Sequence, residues 1–264
     1  MELTIKIINA QGSVLAHARA CEEVFLVYRQ EYAAGDIIEL EASEPGFVEL
    51  ALDAALQPVT IYTTGGTFAF PVPAAKRESY PPQSFSGNLH RLSVRRALPV
   101  EMDGRRNLAL NPFDHHGNET LFPHASANVE TRGEAAFAAR NAIDGEKAND
   151  NHGFWPYTSW GINKDPAAAL TVSFGREVII DEIRLYLRAD FPHDAWWQKA
   201  FVSLSNGETF SLDLRKTGSA QAFPISERKI EWIRLHDLEK AEDPSPFPAL
   251  TQIEVWGRDR PFTP

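Results

Sequence analysis

The residues best equipped to bind or transform a ligand lie in one run, Arg188-Ala189-Asp190-Phe191-Pro192-His193-Asp194-Ala195-Trp196-Trp197. Arginine donates through a rigid planar fork, histidine both donates and accepts, aspartate accepts, and indole offers a flat apolar face. Vicinal sugar hydroxyls need that mixture: a fork spans two adjacent oxygens, and an aromatic ring packs on the C–H face of the pyranose. A structural reading pairs Arg188 with Asp190 or Asp194 and buries one tryptophan. A third reading makes His193 and Asp194 the acid/base groups of a sugar-active enzyme, with Arg188 holding a hydroxyl or carboxylate. Glycoside hydrolysis requires two carboxylates roughly 5–10 Å apart across the substrate, and sequence alone does not fix that separation.

A second constellation is Arg140-Asn141-Ala142-Ile143-Asp144-Gly145, followed by Asn149-Asp150-Asn151-His152-Gly153-Phe154-Trp155. Asp-Gly makes a sharp turn, and the oxygen-rich residues after it suit either a hard cation such as Ca²⁺ or a loop closed by Asx turns. The histidines His115, His116, His124, His152 and His193 show no HExxH or comparable zinc spacing. Nucleophile-elbow, P-loop and Rossmann fingerprints are absent as well.

The elements that must position these residues read as strands, short β-rich runs between turn signals. In the first part they fall at Leu3–Ile8, Val24–Arg29, Asp36–Glu41, Phe47–Leu52, Val59–Thr63, Thr67–Pro71 and Leu89–Arg95. In the second they fall at Ala168–Phe174, Val178–Leu187, Ala200–Ser205, Thr209–Leu214, Ile230–Leu235 and Thr251–Gly257. Ser205-Asn206-Gly207-Glu208 predicts a tight hairpin, because Asn-Gly accommodates positive φ. The alanine-rich run Gly133–Ile143 predicts one short helix or turn. Along Val178–Leu187, period-two alternation sends Ile183, Leu185 and Leu187 to the core and Glu182, Arg184, Tyr186 and Arg188 to the other face. The expected organisation is an all-β N-terminal domain over residues 1–100 and a second β unit over 107–258. All six tryptophans fall in the second unit, which is where a site is expected.

The net charge of −10 argues against nucleic-acid and anionic-membrane surfaces, and no apolar run reaches the roughly 20 residues that span a bilayer. The N-terminus lacks the basic and apolar regions of a secretory signal, so a cytoplasmic location is expected unless a leader has been trimmed. Cys21 is the only cysteine, which rules out an intrachain disulfide and suggests a small core residue.

The second unit resembles the discoidin-like family, the coagulation-factor five/eight C-terminal or galactose-binding-like domains, and in particular its carbohydrate-binding bacterial members. The matching pieces, in order, are Asn107-Leu108-Ala109-Leu110-Asn111, Asn141-Ala142-Ile143-Asp144-Gly145, Trp160, Leu170-Thr171-Val172-Ser173-Phe174-Gly175, Ile179–Arg188 and Leu250-Thr251-Gln252-Ile253-Glu254-Val255-Trp256-Gly257. The resemblance implies an all-β, jelly-roll β-sandwich that binds a glycan or small saccharide through loops at one end, without catalysis. It implies a structural Ca²⁺ held by Asp144 and Glu254, with backbone carbonyls near Arg140 and Lys147. It also implies a sugar site built from Arg188 and His152, with Trp155, Trp196 or Trp197 as the platform. Two departures are a longer loop at Glu146–Trp160 and the insertion Phe191–Trp197. An assembly role, with Trp196 and Trp197 buried at a subunit interface, is the remaining alternative.

Overall fold

The computed structural model describes residues 1–73, 78–150, 155–189 and 195–259. The first part contains β1 (Glu2–Ile8), β2 (Val14–Cys21), β3 (Glu23–Tyr28), β4 (Ile37–Ala42), β5 (Gly46–Ala51), β6 (Val59–Thr63), β7 (Gly66–Pro71) and β8 (His90–Arg96). After the single-turn α1 (Pro99–Met102) come β9 (Arg106–Asn107), β10 (Leu121–Phe122), β11 (His124–Ala127) and β12 (Trp160–Gly161). Then follow β13 (Leu170–Leu187), β14 (Trp197–Leu204), β15 (Thr209–Asp213), β16 (Gln221–Lys240) and β17 (Ala249–Asp259). No helix among the described residues is long and apolar enough to cross a membrane.

The first strands form two antiparallel sheets, ordered β2-β1-β4-β7 and β10-β6-β5-β8-β3. Alternation explains them. Leu3, Ile5 and Ile7 of β1 are fully buried, as are Val48 and Leu50 of β5 and Leu92 and Val94 of β8. Together with Phe70, Phe85 and Ile61 they make one core. Strand β2 carries no clear signal in the sequence because it is an edge strand that pairs only with β1. Its inward residues are the small Ala16, Ala18 and Ala20, while Val14 and Leu15 face outward. Cys21 ends this strand exposed, which corrects its expected place in the core: it falls on the outward side of an edge strand.

The remaining strands build a third antiparallel sheet system, ordered β12-β17-β13-β16-β14-β15, with β11 added to β13 and β9 added to β17. The strands expected at Ala168–Phe174 and Val178–Leu187 are two halves of β13, whose ladder to β16 shifts register between Ser173 and Val178, around Gly175. Strand β16 is far longer than the predicted Ile230–Leu235. It pairs with β13 from Gln221 to Leu235 and with β14 from Ile233 to Lys240, so it lies between them and runs on past the end of the β13 ladder. A second core, centred on Trp160, Val172, Phe174, Ile183, Trp197 and Ile233, fills the space between. The predicted hairpin forms, with Gly207 at φ +89° and its N–H donating to Leu204 O at 3.0 Å.

In place of the one short helix or turn expected over Gly133–Ile143 stand three 3-10 turns, Thr131–Gly133, Ala135–Phe137 and Ala139–Ile143. Glu134 and Ala138 between them are extended, so each turn closes and restarts. Asn141 Nδ2 donates to Ala135 O at 2.8 Å, capturing a carbonyl that a helix would have used. The alanines serve close packing here: Ala136, Ala138, Ala139 and Ala142 are all buried.

The two β units are tied together between Asn107 and His124. Phe113 and Leu121 lie past Asn107 in the sequence yet pack in the first core. Strand β10 extends the first unit's second sheet through Leu121↔Thr63 and Phe122↔Tyr62. Asp114, fully buried, organises this connection. Its Oδ1 accepts from Asn118 Nδ2 (2.7 Å) and pairs with His124 Nδ1 (2.8 Å), and its Oδ2 accepts from Ala125 N–H (2.7 Å).

Candidate functional site

Strand β13 keeps its alternation as far as Leu187, and then the chain turns Arg188 inward. The backbone N–H of Arg188 donates to Ala249 O at 2.9 Å, tying the end of β13 to the start of β17. Its side chain, 1% exposed, is not on the open face that alternation predicts. The guanidinium carbon lies 3.5 Å from the centroid of the buried Tyr157 ring. A desolvated cation–π contact of this kind contributes about 2 kcal/mol.

Beside this pair opens a cavity of 160 Å³, with Phe137, Ser159, Asn163 and Phe247 in its wall. That volume is about five water molecules' share of liquid water, enough for one sugar ring and too little for a chain. The 3-10 turns supply one side: Phe137 meets Tyr157 edge-on at 6.1 Å, and Thr131 Oγ1 accepts from Asn163 N–H at 2.9 Å. Asn163 and Lys164 adopt left-handed backbone (φ +48° and +64°), which swings the exposed Asn163 amide to the rim. The Lys164 ammonium lies 4.5 Å from the Phe247 ring centroid on the opposite lip. The hydroxyl of Ser159 is buried without a hydrogen-bond partner among the described residues.

Of the other predicted site residues, the three described tryptophans lie elsewhere. Trp197, expected as a stacking platform, is 1% exposed and packs against Trp160 with ring centroids 6.4 Å apart. It is a core residue because it opens β14, where it pairs inward beside β16. Trp196 is partly buried against the same core. His152, His193 and Asp194 lie outside the described residues. Tyr157 is the aromatic residue that sequence reasoning missed. The density of rings in Trp155-Pro156-Tyr157-Thr158-Ser159-Trp160 was the available signal, but tryptophan drew the weight.

Trp155 belongs to a different feature. It lines a cleft of about 630 Å³ where the loop at Leu56–Val59 and the segment at Tyr80–Gln83 face Leu110, Arg140 and Asp144. Arg140 is structural there. Its Nε donates to Asp114 O (3.0 Å), its Nη2 to Pro112 O (2.7 Å) and its Nη1 to Asn141 Oδ1 (3.0 Å), while the guanidinium covers the Tyr80 ring at 4.6 Å.

The two carboxylates assigned to calcium engage different partners. Asp144 Oδ1 accepts from Glu146 N–H at 2.8 Å and from Gln252 Nε2 at 2.6 Å. Burial pushes the Asp144 carboxyl up to about 7, opposed in part by the nearby Arg140 charge and by these donors. Glu254 instead pairs with the Lys147 ammonium, accepts from Trp256 Nε1 at 2.7 Å and lies 3.9 Å from the Arg184 guanidinium. A hard cation needs six to eight oxygens converging on one point. Here each carboxylate already faces a protein donor, and the residues do not fit the ion that the family resemblance implied. Among the described residues no group of three or more His, Cys, Asp and Glu side chains comes together. Of the described histidines weighed for zinc, His124 pairs with Asp114 and His116 with Glu130.

No family model matches the sequence, and no curated protein does. Solved structures similar to part of the chain include the chitosan-binding module 1 of a chitosanase/glucanase from Paenibacillus sp. IK-5. It is 20% identical, covers 58% of this chain and 99% of its own, and has a TM-score of 0.42. The family 32 CBM of NanJ from C. perfringens, in complex with galactose, is 19% identical over 50% of this chain and 91% of its own, with a TM-score of 0.39. The lectin binding domain of Lectinolysin, a His 62 mutant complexed with Lewis b, is 17% identical over 59% of this chain and 98% of its own, with a TM-score of 0.43.

Proposed function

We propose that this chain is a noncatalytic carbohydrate-binding protein and that the pocket at the end of β13 takes one sugar ring. The observation that carries this reading is the Arg188 guanidinium, 3.5 Å from the Tyr157 ring centroid beside a cavity of 160 Å³. Tyr157 fixes the plane of the fork before any ligand arrives, so little rotamer freedom is lost on binding. Phe137 and Phe247 supply the apolar wall that the C–H face of a sugar requires, and Asn163 supplies an amide at the rim. A charge-assisted hydrogen bond contributes about 1.5–3 kcal/mol net. Two of them with one stacking contact give about millimolar to micromolar affinity after the cost of association. The net charge of −10 favours neutral over polyanionic glycans.

The test is a glycan-array screen of the full chain, followed by calorimetry on the hits for wild type, Phe247→Ala and Asn163→Ala. Both positions lie at the rim, so the variants should stay folded by circular dichroism. Selective binding that weakens in both variants supports the reading. A folded wild type that binds no glycan, or hits unaffected by both substitutions, rejects it.

A further inference from the structure

On the loop after the last 3-10 turn, two oxygens converge on one point: the Asn141 carbonyl and the Asp144 carboxylate. Such a pair, an inward backbone oxygen beside a carboxylate, is half of a hard-cation site. The point is filled by a side chain. Gln252 of β17 donates through one Nε2 to both oxygens, at 2.5 Å to Asn141 O and 2.6 Å to Asp144 Oδ1. Its Oε1 accepts from Gly145 N–H at 3.0 Å, so both ends of the amide are used. Gln252 is 2% exposed, and the turn it braces is tight: Gly145 stands at φ +88°, and a Cβ there would meet Leu110 Cδ1 at 2.8 Å. Two residues along β17, Glu254 is met by the Lys147 ammonium. Gln252 thus donates to the Asp-Gly loop, and Glu254 accepts from the Lys147 ammonium that follows it.

We infer that the Gln252 amide and the Lys147 ammonium take the structural role of a divalent cation in this loop, so the fold is calcium-independent, and that Gln252→Glu converts the position into a calcium site. The chemistry is direct. An amide NH₂ bridges two oxygens as a neutral donor. Its replacement by a carboxylate leaves Asn141 O, the Asp144 carboxylate and the introduced carboxylate facing one another with no donor between them. Such a cluster repels itself until a cation enters or a proton bridges the two carboxyls, so the calcium arm is run at pH 8 or above. The inference is independent of the sugar pocket, because none of these residues touches it.

The experiment follows thermal unfolding of the full chain in chelator and in millimolar CaCl₂, together with calcium calorimetry. Wild type is expected to show the same Tm in both buffers and no calcium heat. Gln252→Glu is expected to have a lowered Tm in chelator and to regain roughly 5–10 °C in saturating calcium. Gln252→Ala, which removes the donors without adding charge, is expected to lose Tm equally in both buffers. A wild type whose Tm falls on chelation, or which binds calcium below millimolar concentration, overturns the inference. A Gln252→Glu chain that folds but shows no calcium dependence overturns the second half of it. Should that variant not fold in either buffer, the wild-type titration decides the first half and Gln252→Asp tests the second in the same way.

Discussion

Arg188 and Tyr157 come from segments 31 positions apart, yet the guanidinium of one lies 3.5 Å from the ring centroid of the other, both fully out of solvent. The stack orients the fork; the cavity beside it supplies the space. Arg188→Lys keeps the charge but loses the plane and the fork, and is expected to weaken glycan binding about tenfold or more. Trp155→Ala, whose side chain lines the other cleft, is expected to leave that affinity unchanged. Calorimetry with the best array ligand checks both. Equal losses in the two variants would mean that the Arg188 pocket is not the site.

Trp197 tests which tryptophan is structural. Buried against Trp160 and the β16 ladder, its truncation to Ala should cost about 3–5 kcal/mol in urea unfolding. The same substitution at Trp196, partly buried at the edge of this core, should cost less than half as much. A ligand-contact role for Trp197 would instead show as lost affinity with unchanged stability.

His124 makes stability depend on pH. Burial alone draws its pKa down, but the hydrogen bond and charge of Asp114 outweigh burial and hold it above the ordinary 6.5. The group binds its proton more tightly folded than unfolded. Its contribution is therefore complete below about pH 6.5 and is lost as pH rises through the raised native value. Urea unfolding between pH 5 and 9 should show this loss, and His124→Gln should flatten it. An unchanged slope in the variant would remove His124 as its source.

At Gly257, β17 lies close against β13. A Cβ at this position would sit 2.1 Å from Ile179 O and 2.8 Å from Ile180 Cα, backbone atoms with no rotamer to give. Gly257→Ala should cost about 1–3 kcal/mol in chemical unfolding, with the register slip between Ile180 and Glu182 its structural origin. A neutral effect would mean that the two strands stand further apart.

The sequence by itself determined what depends on neighbours along the chain. Period-two burial in β1, β3 and the second half of β13, and the positive φ of Gly207, follow from local alternation and turn chemistry. So do the β class of both parts and the segment that ends in Arg188. Tertiary structure decided what depends on packing partners. Strand β2 pairs only because β1 offers it an edge, and β16 runs past Leu235 because β14 lies beside it. Which tryptophan is buried, whether Arg188 faces in, and whether Asp144 meets Gln252 or Glu254 are set by contacts across the sandwich. Alternation fixes the face on which a side chain leaves its own strand. It carries no information about what the far side of the fold places there: Tyr157 stands where a tryptophan platform was expected, and Gln252 and Lys147 stand where the family resemblance implied a cation.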